Sequence, residues 1–467
     1  MRNNTTLTKS HSRACLAGLM VICSASAMAD SWTEASGLLG AAGIDPNEAK
    51  FMKDHNLKIG GWLEGSVGAN LNATHDAYNG PVTFNDRTAE VQMNQLYFYL
   101  QKAITVGGDA FDLGGRADFM YGTDAIFTQA YGNPSFDPTT TLATGGRGDW
   151  DLYLSDDRFY NLALPQVYAE LNLPVGNGID VKLGHFYTPI GYEVVTSPDN
   201  FFVTKPYTMQ YGEPFTHTGM LASYTVNPNW AISAGAVTGS GTGGWDGNFN
   251  KNVGNWSFLG GVTWTSDDAG TSLALTSTAG EQSEVNSSKW AMYSLVGKHN
   301  FTDKLHYIIQ HDHGYADNVA TGNASAAATL AAGTATVGTQ NAEWYGINQY
   351  LIYDVTDKLS AGLRAEWFRD NNGFRVNGPG RCVAGAQPDG SNSACGAAWG
   401  GYYGDNAAFL SQGSGYYALT AGLTYKPAKW INLRPNVRWD HSDQTKAFAG
   451  GNSHDQVLFT ADAVITF

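Results

Sequence analysis

The sequence predicts an all-β fold: a transmembrane antiparallel β-barrel of about sixteen strands, with short turns at one end and long loops at the other. Three observations predict it. Apolar and polar residues alternate with period 2 along most of the chain. The connections between these stretches alternate in length, and aromatic residues gather at the ends of the apolar faces. Composition narrows the class further. A chain 43% hydrophobic, 12% aromatic and only 15% charged is not disordered, and a net charge of −15 argues against a general nucleic-acid binder. No stretch beyond the first thirty residues approaches the ~18 uninterrupted apolar residues of a membrane helix.

Residues 1–29 read as a secretory signal peptide: a polar, positive start, an apolar core at Ala14–Cys23, and the small-residue site Ala27-Met28-Ala29. Ile22 before Cys23 is too bulky for a lipoprotein cleavage site. Arg2, Lys9 and Arg13 leave with the leader, so 24 basic face 42 acidic residues and the mature charge is −18. Residues 30–56 form a short periplasmic N-terminal segment, in which Asn47–His55 reads as a helix after Pro46.

The barrel occupies 57–467. In its first stretch Ile59, Leu63, Val67 and Leu71 lie on one face, and Lys58, Glu64, Ser66 and Asn70 on the other. The pattern recurs at 90–104, 108–122, 162–174, 178–187, 216–226, 229–239, 256–265, 271–280, 289–300, 304–314, 342–353, 358–370, 415–426, 430–440 and 456–467. Short turns rich in Pro, Gly, Asn and Asp follow every second stretch, two of them nearly identical (FTDKL at 301–305 and VTDKL at 355–359). The intervening loops are long at 74–89, 123–161, 188–215, 240–255, 315–341, 371–414 and 441–455, and short only at 281–288. An even strand number lets the first and last strands pair and close the sheet, leaving no edge in lipid. Both termini then lie on the short-turn, periplasmic side. On the apolar face Trp230, Trp264, Tyr353 and Tyr425 sit near the short turns, and Trp367, Tyr417 and Trp439 near the long loops, which makes two girdles. Aromatic packing between two soluble sheets is the competing reading.

A barrel of this size encloses water, so its inner face should be polar. The pore-lining candidates are Glu64, Arg116, Asp118, Lys182, Arg364, Glu366, Arg434 and Arg438. A wide tube needs narrowing, and the loop 188–215 is the candidate. Pro189, Pro198, Pro206 and Pro214 stiffen it, and Tyr192, Glu193, Asp199, Lys205 and Glu213 supply groups to set against wall arginines. A lid or surface-packed loop is the alternative.

At this loop GHFYTPIGYE (184–193) and GEPFTHTG (212–219) resemble the signature region of the OmpL-like β-barrel porin family. DFMYGTDA (118–125), LHYIIQHDHG (305–314) and AEWYGINQYLIYD (342–354) are similar to its strands. The resemblance runs from about residue 57 to Phe467 and implies a barrel in the bacterial outer membrane with pore activity. It implies no substrate and no functional residue. Phe467 itself resembles the C-terminal aromatic signature read by the barrel-assembly machinery.

The expected function is therefore passive diffusion of small hydrophilic solutes and ions through an outer-membrane porin, with a cation preference hinted at by the charge of −18. The alternative is a barrel with a closed lumen acting as surface receptor, adhesin or structural protein; a secreted carbohydrate-binding β-protein is a third reading. The expected partners are outer-membrane lipid and lipopolysaccharide, the assembly machinery and, by analogy with other sixteen-stranded porins, two further copies in a homotrimer. No enzyme, cofactor or metal is expected: no G-x-S-x-G occurs, and His311 and His313 would need further ligands to hold an ion. Cys382 and Cys395, the cysteines left after the leader, suit one loop disulfide in an oxidising compartment.

Overall fold

A computed structural model describes residues 35–72, 77–105, 107–128, 160–238, 256–281, 289–320, 339–373, 375–376, 413–449 and 451–467. Cys382, Cys395 and the leader lie outside the described residues.

Sixteen antiparallel strands close into one barrel. In chain order they are β1 (Leu57–Asn70), β2 (Val91–Lys102), β3 (Asp112–Gly122), β4 (Asn161–Leu173), β5 (Ile179–Tyr187), β6 (Thr216–Asn227), β7 (Trp230–Thr238) and β8 (Trp256–Thr265). The second half comprises β9 (Thr271–Glu281), β10 (Lys289–Asn300), β11 (Leu305–Ala320), β12 (Thr339–Thr356), β13 (Leu359–Asp370), β14 (Ser414–Ala428), β15 (Ile431–Ser442) and β16 (Asp455–Thr466). Each strand pairs with its sequence neighbours, and β1 pairs with β16 in the register Leu63↔Ile465 and Val67↔Ala461.

The alternation in sequence becomes two surfaces. Leu63 and Val67 are 38% and 48% exposed on the outside, while Glu64 and Ser66 between them are 2% and 4% exposed on the inside. An apolar outer wall of this kind is stable only against hydrocarbon. Trp230, Tyr353 and Tyr425 are exposed near the short turns, and Tyr417 and Trp439 near the opposite rim. One strand breaks a local rule. Pro435 sits inside β15 without an N–H, and the β14–β15 pairing skips from Gly422↔Asn436 to Tyr425↔Leu433 around it.

The segment before β1 is more broken than its sequence suggests. A turn of α-helix, α1 (Leu38–Ala41), precedes a 3₁₀ turn at Pro46–Glu48, and within Asn47–His55 only Lys50–Asp54 (α2) is α-helical. Asn47 leaves the helical path because its side chain serves the barrel. Its Nδ2 donates to the Ile59 carbonyl and its Oδ1 accepts the Ile59 N–H, both at 2.9 Å. Beside it the main chains of Gly61 and Phe467 exchange two hydrogen bonds. Phe467 points outward, its ring 5.3 Å from that of Phe98.

Candidate functional site

Loop 188–215 leaves β5, enters the barrel and returns to β6 with most of its residues buried. Its prolines hold it extended except at a 3₁₀ turn (Ser197–Asp199) and a π turn (Thr208–Gly212). A buried backbone without regular structure needs partners for its polar groups. The wall supplies them from side chains on alternate positions of facing strands.

Three arginines do most of this work, and all three are 0% exposed. Arg364 on β13 donates through Nη1 to Glu193 Oε1 at 2.6 Å and to the Thr204 carbonyl at 2.7 Å. Arg434 on β15 donates through Nη1 to the carbonyls of Ser197 and Asn200 at 2.7 and 2.8 Å. Arg438, two pleats further, donates to the Lys205 carbonyl at 2.9 Å. Wall acids balance their charge: Glu366 for Arg364, Asp462 and Glu64 for Arg434, Asp440 and Glu366 for Arg438. Glu366 also accepts the Tyr207 N–H, and Asp440 the Tyr207 hydroxyl.

The loop residues singled out in the sequence divide. Glu193 meets a wall arginine as expected. Asp199 does not; it stays exposed, accepting from Thr196 Oγ1 at 2.6 Å. Lys205 is buried and its Nζ donates to the Val194 carbonyl. Tyr192 packs edge-on to Tyr350, with Lys298 Nζ 4.9 Å above its ring. Among the described residues Glu213 meets no arginine: it and Asp312 both accept from Gln310 Nε2. Burial, with Asp312 beside it, pushes the Glu213 carboxyl well above the usual range.

On the other side of the lumen Arg116 donates to Asp118 at 2.7 Å, lies over the Tyr99 ring, and its side chain is 20% exposed. Asp118 also accepts from Tyr97 and Gln166. Lys182, its side chain 27% exposed, stands 4.0 Å from Glu170. The wall between is small and neutral, running through Ser223, Ser233, Gly261 and Thr276 across β6 to β9.

Two features depart from the sequence reading. The inner face is not uniformly polar: Val296, Ile308, Tyr350 and Ile352 point inward and pack against Tyr192, Phe201 and Phe202 of the loop. A second loop, 77–90, also folds inward. Thr83 donates through N and Oγ1 to Gln210 Oε1 at 2.6 and 2.9 Å, and Tyr211 hydroxyl donates to the Pro81 carbonyl. Phe84 packs on Phe215 and on Phe127 in the buried turn α3 (Ala125–Thr128). The signal was present: Val82 and Phe84 are apolar residues in a segment that a purely external loop would keep polar. His311 and His313 lie on the outward face near the rim, against Tyr293, and His313 pairs with Glu343. No cluster of three metal-binding side chains occurs among the described residues.

The family model of beta-barrel porin-2, OmpL-like, matches residues 56–467. The chain belongs to this OmpL-like porin family. Solved structures with a similar fold include Pseudomonas putida OprB (14% identity, TM-score 0.53, covering 93% of this chain and 99% of that one). Another is an anion-selective porin from Comamonas acidovorans (11% identity, TM-score 0.51, covering 88% and 99%). At these identities the likeness concerns the fold. No curated protein matches the chain. Family and barrel place this porin in the bacterial outer membrane and point to a channel rather than an enzyme.

Proposed function

We propose that this porin is a passive diffusion channel for small hydrophilic solutes, narrowed by loop 188–215. The observation that carries the reading is the seating of that loop on Arg364, Arg434 and Arg438 inside the barrel. The loop is seated on β13 and β15 and packs on β10 to β12, so in this reading solutes pass along the side of β3 to β9. There Arg116, held by the buried Asp118, and Lys182 face water beside small neutral residues, and Asp199 is the exposed acid on the loop. The mature charge of −18 favours cations. Planar-bilayer recording tests the function: discrete conductance steps are expected, and a silent, folded protein refutes it. A reversal potential favouring anions refutes the selectivity.

A second reading, a closed barrel serving as receptor or adhesin, is favoured by one observation: loops 77–90 and 188–215 meet inside the lumen. Deleting 188–215 separates the two, because a diffusion channel gains conductance and a receptor's surface binding is indifferent. A homotrimer, delivered by the assembly machinery through Phe467, completes the proposal, and cross-linking in native membranes tests it.

A further inference from the structure

Glu213 and Asp312 are a buried pair of carboxyls, 1% and 0% exposed, that no lysine or arginine neutralises among the described residues. One side chain holds them together. Gln310 on β11 accepts the Tyr192 N–H on its Oε1 at 3.0 Å, which orients its amide. Its Nε2 then donates to Asp312 at 2.8 Å and to Glu213. Gln310 thus staples both roots of loop 188–215, Tyr192 near the start and Glu213 near the end. Gly191 makes room for the carboxyl, since a side chain there would meet Glu213 Oε2. The other groups facing the pair are Glu193 from the loop and Ser294 from β10; His311, next to Asp312 on β11, points to the outer face, Arg375 lies over the Trp344 ring and donates to the Tyr211 carbonyl, and Trp344 and Phe368 on β12 and β13 carry no charge.

Two ionised carboxylates on one amide, sealed from water, repel each other. A metal ion does not fit between them, because the amide hydrogens already point there. A proton does fit, and Asp312 Oδ1 has no hydrogen-bond partner among the described residues. We propose that Glu213 and Asp312 hold one proton between them, and that this proton latches loop 188–215 to β11 and keeps the channel narrow. The latch rests on the channel reading above. Undocking exposes both carboxyls to water, where both ionise, so one proton is released. The docked form is favoured at low pH and lost as pH rises, by at most about tenfold in the docked-to-undocked ratio per pH unit for one linked proton.

The test is single-channel conductance in bilayers from pH 5 to pH 9, on protein whose folding is checked by heat-modifiable gel mobility. The wild type is expected to shift to a larger conductance as pH rises. Glu213→Gln keeps a hydrogen-bonding head without charge and is expected to stay in the small state throughout. Gln310→Ala frees both roots and is expected to show the large state even at pH 5. A wild-type conductance that does not change with pH overturns the latch alone. So does an unchanged pH step in both Glu213→Gln and Asp312→Asn. A channel silent at every pH overturns the diffusion reading together with the latch.

Discussion

Replacing Arg364 with Ala removes the tether of loop 188–215 that pairs with a loop carboxylate. The guanidinium binds Glu193 Oε1 at 2.6 Å, the Thr204 carbonyl at 2.7 Å and Glu366 Oε1 at 2.7 Å. Its loss leaves Glu193 buried without a partner cation. Breaking a buried ion pair from one side costs about 3–5 kcal/mol. Glu366 retains Arg438, so its share is smaller and the lower figure applies. A penalty of about 3 kcal/mol raises the undocked-to-docked ratio of the loop by roughly two powers of ten. The barrel survives, because its ladders are main-chain bonds that do not depend on the Arg364 side chain. The assay is single-channel recording, in which the variant is expected to show larger and noisier steps than the wild type. The double variant Arg364→Ala with Glu193→Ala removes the stranded charge and is expected to recover part of the quiet state. A variant with wild-type step size and noise refutes the argument that this arginine holds the loop.

Three further outcomes follow from the same geometry. Asn47→Ala deletes both bonds to Ile59 and is expected to cost about 1–2 kcal/mol; the heat-modifiable transition should fall by a few degrees with conductance unchanged, and an unaltered transition counts against a clasp at the seam. Leu363→Arg places a charge on the outer wall and is expected to destabilise the barrel by about 2–4 kcal/mol in lipid-vesicle unfolding, whereas wild-type stability would mean that face does not meet lipid. Gln210→Ala unties loop 77–90 from loop 188–215 and is expected to raise conductance without lowering barrel stability; unchanged conductance would show that the two loops are not coupled.

The strands were legible because each carries its own evidence. Leu63 and Val67 against Glu64 and Ser66 announce their two faces within a few residues, and the turns FTDKL and VTDKL mark their own positions. Loop 188–215 announced itself through its prolines and aromatics. Its partners did not. Arg434 and Ser197 stand 237 residues apart, and Gln310 and Tyr192 118 residues apart. Period-2 reading assigns such residues to the inner face but cannot say what they meet there. The same limit hid Val296 and Ile308, whose inward apolar side chains make sense only once Phe202 is packed on them. It also misjudged Glu213, which an excess of wall arginines seemed to claim and which instead faces another carboxyl.

Arg364, Arg434 and Arg438 share one geometry. In each, Nε binds a wall carboxylate while Nη1 reaches a loop carbonyl: Glu366 and Thr204 for Arg364, Asp462 and Ser197 for Arg434, Asp440 and Lys205 for Arg438. For Arg364 and Arg438 the carboxylate is two residues further on the same strand, so the pleat itself aims Nε along the wall and leaves the far nitrogens free to cross it. A lysine ammonium has no such fork; it would have to choose between the wall acid and the loop. Because the wall acid already neutralises each guanidinium, the loop need bring only uncharged carbonyls to dock, and its backbone rather than its side chains carries most of the seat. That division explains why Asp199 stays exposed while, among the described residues, only Glu193 of the loop acids joins an arginine.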